Sequence, residues 1–161
     1  MVADALAERW GLARVKPRFR AQLAEGRAPG AEGSPRGPRV LVMWPQTFMN
    51  DAGRAVGPAR GVNRLALERV IAVHDEIDLP FGEIRVRLGG GLAGHNGLKS
   101  LKRELGSGEF WRVRVGVGRP DSTDPEIVSA HVLGRFREPT AEVAELVERA
   151  VAEVERLVSA P

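Results

Sequence analysis

Cysteine is absent from this 161-residue chain, which excludes a disulfide framework, a thiolate metal site and a cysteine nucleophile. Lysine is scarce, since 21 of the 24 basic residues are arginine. No apolar run approaches the ~18 residues of a membrane span, and no signal-peptide pattern opens the sequence. Internal repeats and linkers are missing as well. The run Gly89-Gly90-Gly91 lacks the GxGxxG strand–helix context and the chain has no GxxxxGKS/T string, so dinucleotide and P-loop readings fail. What is present is ordinary globular material, 43% hydrophobic and 28% charged. A chain of this length reads as one domain, burying roughly 70% of the surface its unfolded form exposes.

The net charge of +3 hides an asymmetry. Residues 1–120 carry 20 basic and 12 acidic side chains, whereas residues 121–161 carry 4 and 9. Arginine offers a planar fork suited to phosphate. A basic body with an acidic tail points to a polyanionic partner; simple solvation of the charges is the competing account.

Periodicity places the elements. Val2, Ala5, Leu6, Ala7 and Trp10 recur at helical spacing, so the chain opens inside a helix. Phe19, Ala21 and Leu23 alternate with Arg18, Arg20 and Gln22, a strand signal, and residues 26–38 read as a turn or mobile hairpin tip. Arg39–Met43 is β-like, and Asn50 or Asp51 is placed to cap a helix running to about Arg60. Val70–Val73 reads as a buried strand stopped by His74-Asp75-Glu76. Ile84, Val86 and Leu88 alternate with Arg85 and Arg87, and Trp111, Val113 and Val115 alternate with Arg112 and Arg114. Between those strands, Asn96–Leu105 looks helical. Val143, Leu146, Val147, Ala150, Val151, Val154, Leu157 and Val158 form one apolar stripe of a final helix. The sum is an α/β layer domain over residues 1–161.

Unusual polar residues gather in four segments at ends of these elements: Thr47–Asn50, His74–Asp78, Gly89–Gly97 and Arg112–Arg114. In open α/β sheets ligands bind beyond the carboxyl ends of strands, so the four segments are expected to converge on one cleft. Asn50, Asp75 and Asn96 should then share a depression. Arg87 and Arg114, on the polar face of alternating strands, should be exposed neighbours free of internal acids.

The strings TFMN, HDEIDLPFGEIRVRLGGG, GHNGLKSL and FWRVRVGVGRP, in this order and spacing, resemble bacterial peptidyl-tRNA hydrolase over roughly residues 1–150. The want of a span or signal pattern sets the expected location as cytoplasmic. The resemblance implies a monomeric α/β enzyme with a twisted mixed sheet wrapped by helices. It also implies cleavage of the ester between peptide and tRNA, with no metal or organic cofactor. By position, Asn50 is similar to the family's asparagine at the substrate's 3′ end, and Phe48 to the side chain lining the same cleft. Asp75 resembles the carboxylate that orients the catalytic imidazole. Asn96 resembles the asparagine that binds the peptidyl main chain and places the water, with His95 as its neighbour. Arg87 and Arg114 fall where the family keeps cations for a tRNA phosphate. These types suit ester hydrolysis, which needs a base on water, a group fixing that base and donors for an oxyanion.

Two departures accompany the resemblance. The family's opening strand, its Gly-Asn-Pro-Gly turn and its Thr-Arg-His-Asn segment with the general base have no counterpart here, because Met1 aligns inside the following helix. The family's C-terminal tail is curtailed at Pro161, and Leu92-Ala93 replace a small glycine-rich pair, stiffening that loop. The general base therefore has no match. His74 reads as structural, on the face of its strand opposite Asp75, and His131 as a packing residue. His95 is the one local candidate for a substitute base. The expectation is an enzyme that is nearly inactive and less stable in this shortened form, with Asp75 left facing water or a stray cation. A catalytically silent RNA-binding protein of the same fold is the alternative; arginine placement disfavours a small-molecule enzyme.

Overall fold

The computed structural model describes residues 1–92 and 94–160. Ala93 and Pro161, on which the loop-stiffening and tail expectations partly fall, lie outside them. Five helices and six strands follow in the order α1 (Val2–Arg9), β1 (Ala13–Arg18), β2 (Ala21–Arg27), β3 (Arg39–Pro45), α2 (Gly53–Asn63), β4 (Ile71–Glu76), β5 (Ile84–Leu88), α3 (Asn96–Leu105), β6 (Trp111–Gly116), α4 (Pro125–Leu133) and α5 (Thr140–Ser159). The fold is α/β. Its described strands divide between an antiparallel sheet, β1-β2-β3, and a mixed sheet, β4-β6-β5, in which β4 runs parallel and β5 antiparallel to β6.

Helices cover both faces of the mixed sheet. Val113 and Val115 of β6 pack with Leu146, Ala150, Val151 and Val154 of α5 and Leu6 of α1. On the opposite side Leu98, Leu101 and Leu105 of α3 pack with Phe110, Val70 and Ala72. The apolar stripe expected for α5 is the one that is buried, because helical spacing places those residues on one face. Its acidic flank is used too: Arg9 pairs with Glu148, and Trp10 Nε1 donates to Glu155 at 3.0 Å. The antiparallel sheet rests on α2 through Ala21, Leu23 and Ala55.

Three local expectations are corrected. The alternation through Phe19 and Ala21 is interrupted by a two-residue turn, Phe19-Arg20, in which both residues are left-handed, with φ of 56° and 53°. Such a turn matches the twist of an antiparallel pair and normally carries glycine or asparagine, so its usual signal is missing. β4 runs on through His74, Asp75 and Glu76, because a parallel ladder with Arg114, Val115 and Gly116 holds them. Neither Asn50 nor Asp51 caps α2; both lie in a 3₁₀ turn, Met49–Asp51, and the cap position falls to Ala52. An element with no clear periodic signal is α4, whose start is marked by Asp124, its side chain accepting from the Glu126 N–H, and by Pro125 in the first turn.

One close approach matters for the site. The Gly53 N–H donates to Ser100 Oγ at 2.8 Å, and a Cβ on Gly53 would lie 2.3 Å from the Ser100 carbonyl. Only glycine lets α2 and α3 meet there, which fixes the 3₁₀ turn before α2 against α3.

Candidate active site

The N-terminus of α3 organises the polar residues. His95 is its capping residue, and its Nδ1 accepts the Leu98 N–H at 3.2 Å. Its Nε2 lies 3.2 Å from Asp75 Oδ1, at the end of β4. These two partners define the tautomer: Nδ1 must hold a lone pair, so the proton is on Nε2 and is donated to the carboxylate. That bond, ahead of any other influence, holds the Asp75 carboxyl below the usual carboxylate range despite partial burial. Asp75 is thus not left facing water or a stray cation. His95, twenty residues on, takes that place.

His74 also touches this pair. Its ring meets His95 edge-on, with centroids 4.9 Å apart, and its Nδ1 donates to the Asp75 carbonyl at 2.8 Å. The side chain is 9% exposed, and its Nε2 has no hydrogen-bond partner among the described residues. Alternation sends His74 and Asp75 to opposite faces of β4, yet His95 meets both, its ring lying against His74 and its Nε2 bonded to Asp75. The structural role expected for His74 fits its burial, which lowers its pKa from 6.5. Unfolding releases a histidine that protonates near 6.5, so the unfolded state binds more protons below that pH. Stability due to His74 is therefore complete above about pH 6.5 and falls as the pH drops toward its folded pKa. Urea denaturation between pH 7 and 5 should show this decline, and His74→Asn should flatten it.

The remaining residues flank this centre. Asn96 is exposed in the first turn of α3. Asn50 is exposed in the 3₁₀ turn, where its carbonyl accepts from Arg103 of α3 at 3.3 Å. A Cβ on Gly97 would lie 2.7 Å from Met49 Sδ, so this turn sits directly on the start of α3. Asp75, His95, Asn96 and Asn50 therefore belong to adjoining segments. Phe48, 82% exposed, lines a cavity of about 370 Å³ with Arg20, Gln46, Thr47 and Asp51. A second cavity of about 240 Å³ is lined by Arg87, Gly89, Gly91, Leu98, Arg112 and Arg114. Asn50, Asp75 and Asn96 line neither of these two.

The arginines divide. Arg87 is exposed and forms no ion pair among the described residues. It folds over Gly90, where φ is +95° and a Cβ would lie 2.6 Å from Arg87 Nε. Arg114 contradicts the expectation of a cation free of internal acids: it is 23% exposed and pairs at 3.2 Å with Glu76, itself 4% exposed. The parallel register brings Glu76 of β4 beside β6, and a carboxylate so buried needs a cation. His131, expected to pack, also donates a hydrogen bond from Nε2 to the Gly118 carbonyl at 2.8 Å.

Arg112 was missed as a distinct residue. It is 1% exposed, and its guanidinium donates to the carbonyls of Gly90 at 3.1 Å, Gly91 at 2.6 Å and Gly108 at 2.9 Å. Its charge lies over the Phe110 ring, 4.8 Å from the centroid. The available signal was the proximity of glycine-rich loops, whose carbonyls no side chain screens.

Among the described residues no group of three or more His, Asp or Glu is placed to hold a metal, and no helix is long and apolar enough to cross a membrane. The sequence profile of the family described as "Peptidyl-tRNA hydrolase" matches residues 1–160. The chain belongs to the peptidyl-tRNA hydrolase family. It is 42% identical over 159 residues to "Peptidyl-tRNA hydrolase" of Granulibacter bethesdensis, covering 99% of this chain and 77% of that protein. The protein of the same name from Geotalea daltonii is 42% identical over 158 residues, covering 98% and 78%. The crystal structure of peptidyl-tRNA hydrolase from Acinetobacter baumannii superposes with a TM-score of 0.80 at 31% identity, covering 98% of this chain and 76% of that one.

Proposed function

We infer that the chain hydrolyses peptidyl-tRNA: water adds to the ester carbonyl, the carbonyl–oxygen bond breaks, and a peptide carboxylate and the tRNA hydroxyl leave. The observation that carries this reading is the Asp75–His95 pair at the start of α3, in a chain that matches the family along nearly its whole length. Asp75, ionised, holds the imidazole proton on Nε2 and stabilises the imidazolium when one forms. Nδ1 is the nitrogen left to take a proton from water, and it does so once it leaves the Leu98 N–H. The amides of Asn96 and Asn50 suit the peptidyl main chain and the ribose end, since an amide donates without titrating. Phe48 offers an exposed aromatic face to the same substrate end. Arg87 supplies the cation for a phosphate, with Arg114 a weaker contributor because Glu76 already neutralises it. Residues 1–161 act as one domain, as a monomer and in the cytoplasm, where tRNA esters arise.

The engagement of both His95 nitrogens favours a second account of the base, in which a histidine of a preceding segment, as in the Thr-Arg-His-Asn string, docks on Asp75 instead. Release of peptide from peptidyl-tRNA by this chain, by its His95→Ala variant and by an N-terminally extended chain separates the two. If His95 is the base, the variant loses about 10²–10⁴ in rate. Faster hydrolysis by the extended chain, with His95→Ala mild in that background, assigns the base elsewhere. No hydrolysis by either chain removes the enzyme reading and leaves the silent RNA binder, which no present observation favours.

A further inference from the structure

We propose that Met49 is a site of reversible oxidation by hydrogen peroxide, and that the sulfoxide weakens substrate binding by unseating the turn that carries Phe48 and Asn50. This concerns regulation of the site described above and rests on that reading for the substrate.

Sulfur is scarce in this chain, and its placement is uneven. Cysteine is absent, so no thiolate competes for an oxidant, and the three methionines are Met1, Met43 and Met49. Met43 is partly buried against the core of the antiparallel sheet, with Leu23 and Ala55. Met1 is 64% exposed and precedes α1, which packs on α5. Met49 is 50% exposed and begins the 3₁₀ turn before α2. It joins access to an oxidant in solvent with a contact at the candidate active site.

That contact is made on a bare glycine. A Cβ on Gly97 would lie 2.7 Å from Met49 Sδ and 2.9 Å from His95 Cε1, so thioether and imidazole press on the same point of the first turn of α3. Gly97 is buried, and the fit depends on a soft, apolar sulfur. Oxidation changes that sulfur. Its lone pair attacks one oxygen of hydrogen peroxide: an S–O bond forms and the O–O bond breaks. A proton moves from the transferred oxygen to the leaving hydroxide, water departs, and sulfur has given up two electrons. The new oxygen has two places to go, and neither keeps the seat. Toward α3 it enters a space already closed to one carbon. Toward solvent it draws a now polar side chain off the helix. Two other ties hold the segment in the fold, the Asn50 carbonyl accepting from Arg103 and the Gly53 N–H donating to Ser100 Oγ. The chain therefore stays folded while Phe48 and Asn50, on either side of Met49, lose their register against His95 and Asn96.

The test treats the full chain with hydrogen peroxide and follows each methionine by peptide mass spectrometry alongside peptidyl-tRNA hydrolysis. Met49 should gain oxygen before Met43, and KM should rise several-fold at the rate of Met49 oxidation. The value of kcat should hold, because the Asp75–His95 bond does not involve the sulfur. Methionine sulfoxide reductases for the two sulfoxide epimers should together restore KM. Met49→Leu, close in volume and without sulfur, should keep its KM through the same treatment. Hydrogen exchange at the Leu98 amide, which reports the His95 cap, should quicken on oxidation of the wild type alone, and that measurement does not require hydrolysis. Met43 oxidised as fast as Met49, an equal KM rise in treated Met49→Leu, or oxidised Met49 with unchanged KM and exchange overturns the proposal. If Met49→Leu folds poorly, the wild-type time course and the reductase rescue decide. A chain that cleaves no peptidyl-tRNA yet shows the exchange change keeps Met49 as the modified residue and removes only the enzyme reading.

Discussion

Asp75→Asn is expected to lower kcat on peptidyl-tRNA by about 10²–10⁴, the range for disabling a general base. The physical reason is the tautomer. Asp75 accepts the Nε2 proton of His95, while Nδ1 accepts the Leu98 N–H. An asparagine amide turned toward Nε2 donates, which forces the proton to Nδ1 and sets it against the Leu98 N–H. The variant should therefore also lose the cap of α3, worth about 1 kcal/mol. Asp75→Ala provides the contrast: it removes the carboxylate but lets the ring keep Nδ1 free for the cap. Comparable kcat losses with a stability loss greater in Asn than in Ala would establish the tautomer argument, and an Asn variant with wild-type kcat would refute it.

The same pair sets an acid limit. Its bond to His95 depresses the Asp75 pKa from 3.8, so the folded carboxyl ionises more readily than the unfolded one. Its stabilising contribution is complete above the unfolded value and is lost as the pH falls through the folded one. Between pH 7 and 5, His74 is the group expected to move stability, in the opposite chemical role: a buried base that unfolding allows to charge.

Arg112→Met is expected to destabilise the fold by roughly 3–5 kcal/mol. The buried guanidinium donates to three part-buried loop carbonyls, and a hydrogen bond to a charged group is worth about 1.5–3 kcal/mol. Replacing a buried ion pair with apolar residues is often neutral, but here no acid is bonded to Arg112, so its removal strands only carbonyls. Desolvation, which lowers the Arg112 pKa, offsets part of the loss. Arg112→Lys should recover only a fraction, since one ammonium lacks the planar fork that spans Gly90, Gly91 and Gly108. Urea midpoints give the comparison. Because Gly90 and Gly91 begin the loop leading to His95, hydrogen exchange at the Leu98 amide should also quicken in Arg112→Met.

Local pattern was sufficient for much of the fold. The α5 stripe, the alternation of β5 and β6 and the span of α3 are periodicities of 3.6 or 2, legible within a dozen residues. The order and spacing of four motifs carried the family. Helix and strand signals failed where no local chemistry marks the outcome. Phe19-Arg20 turns without glycine or asparagine, and β4 continues through charged residues because its neighbour strand holds them.

The site divides in the same way. Residue types and strand ends nominated Asp75, His95, Asn96, Asn50, Phe48, Arg87 and Arg114, and family resemblance offered their roles. Which of them touch was decided by packing. Asp75 meets His95 because α3 begins where β4 ends, and Arg114 meets Glu76 because β4 runs parallel to β6. Arg112 and Arg114 occupy equivalent places in an alternating strand, yet one faces glycine carbonyls and the other a buried carboxylate. Periodicity assigns a side chain to a face, whereas its partner, its hydration and its charge state depend on residues twenty to forty positions away that only the folded chain brings within 3 Å or so.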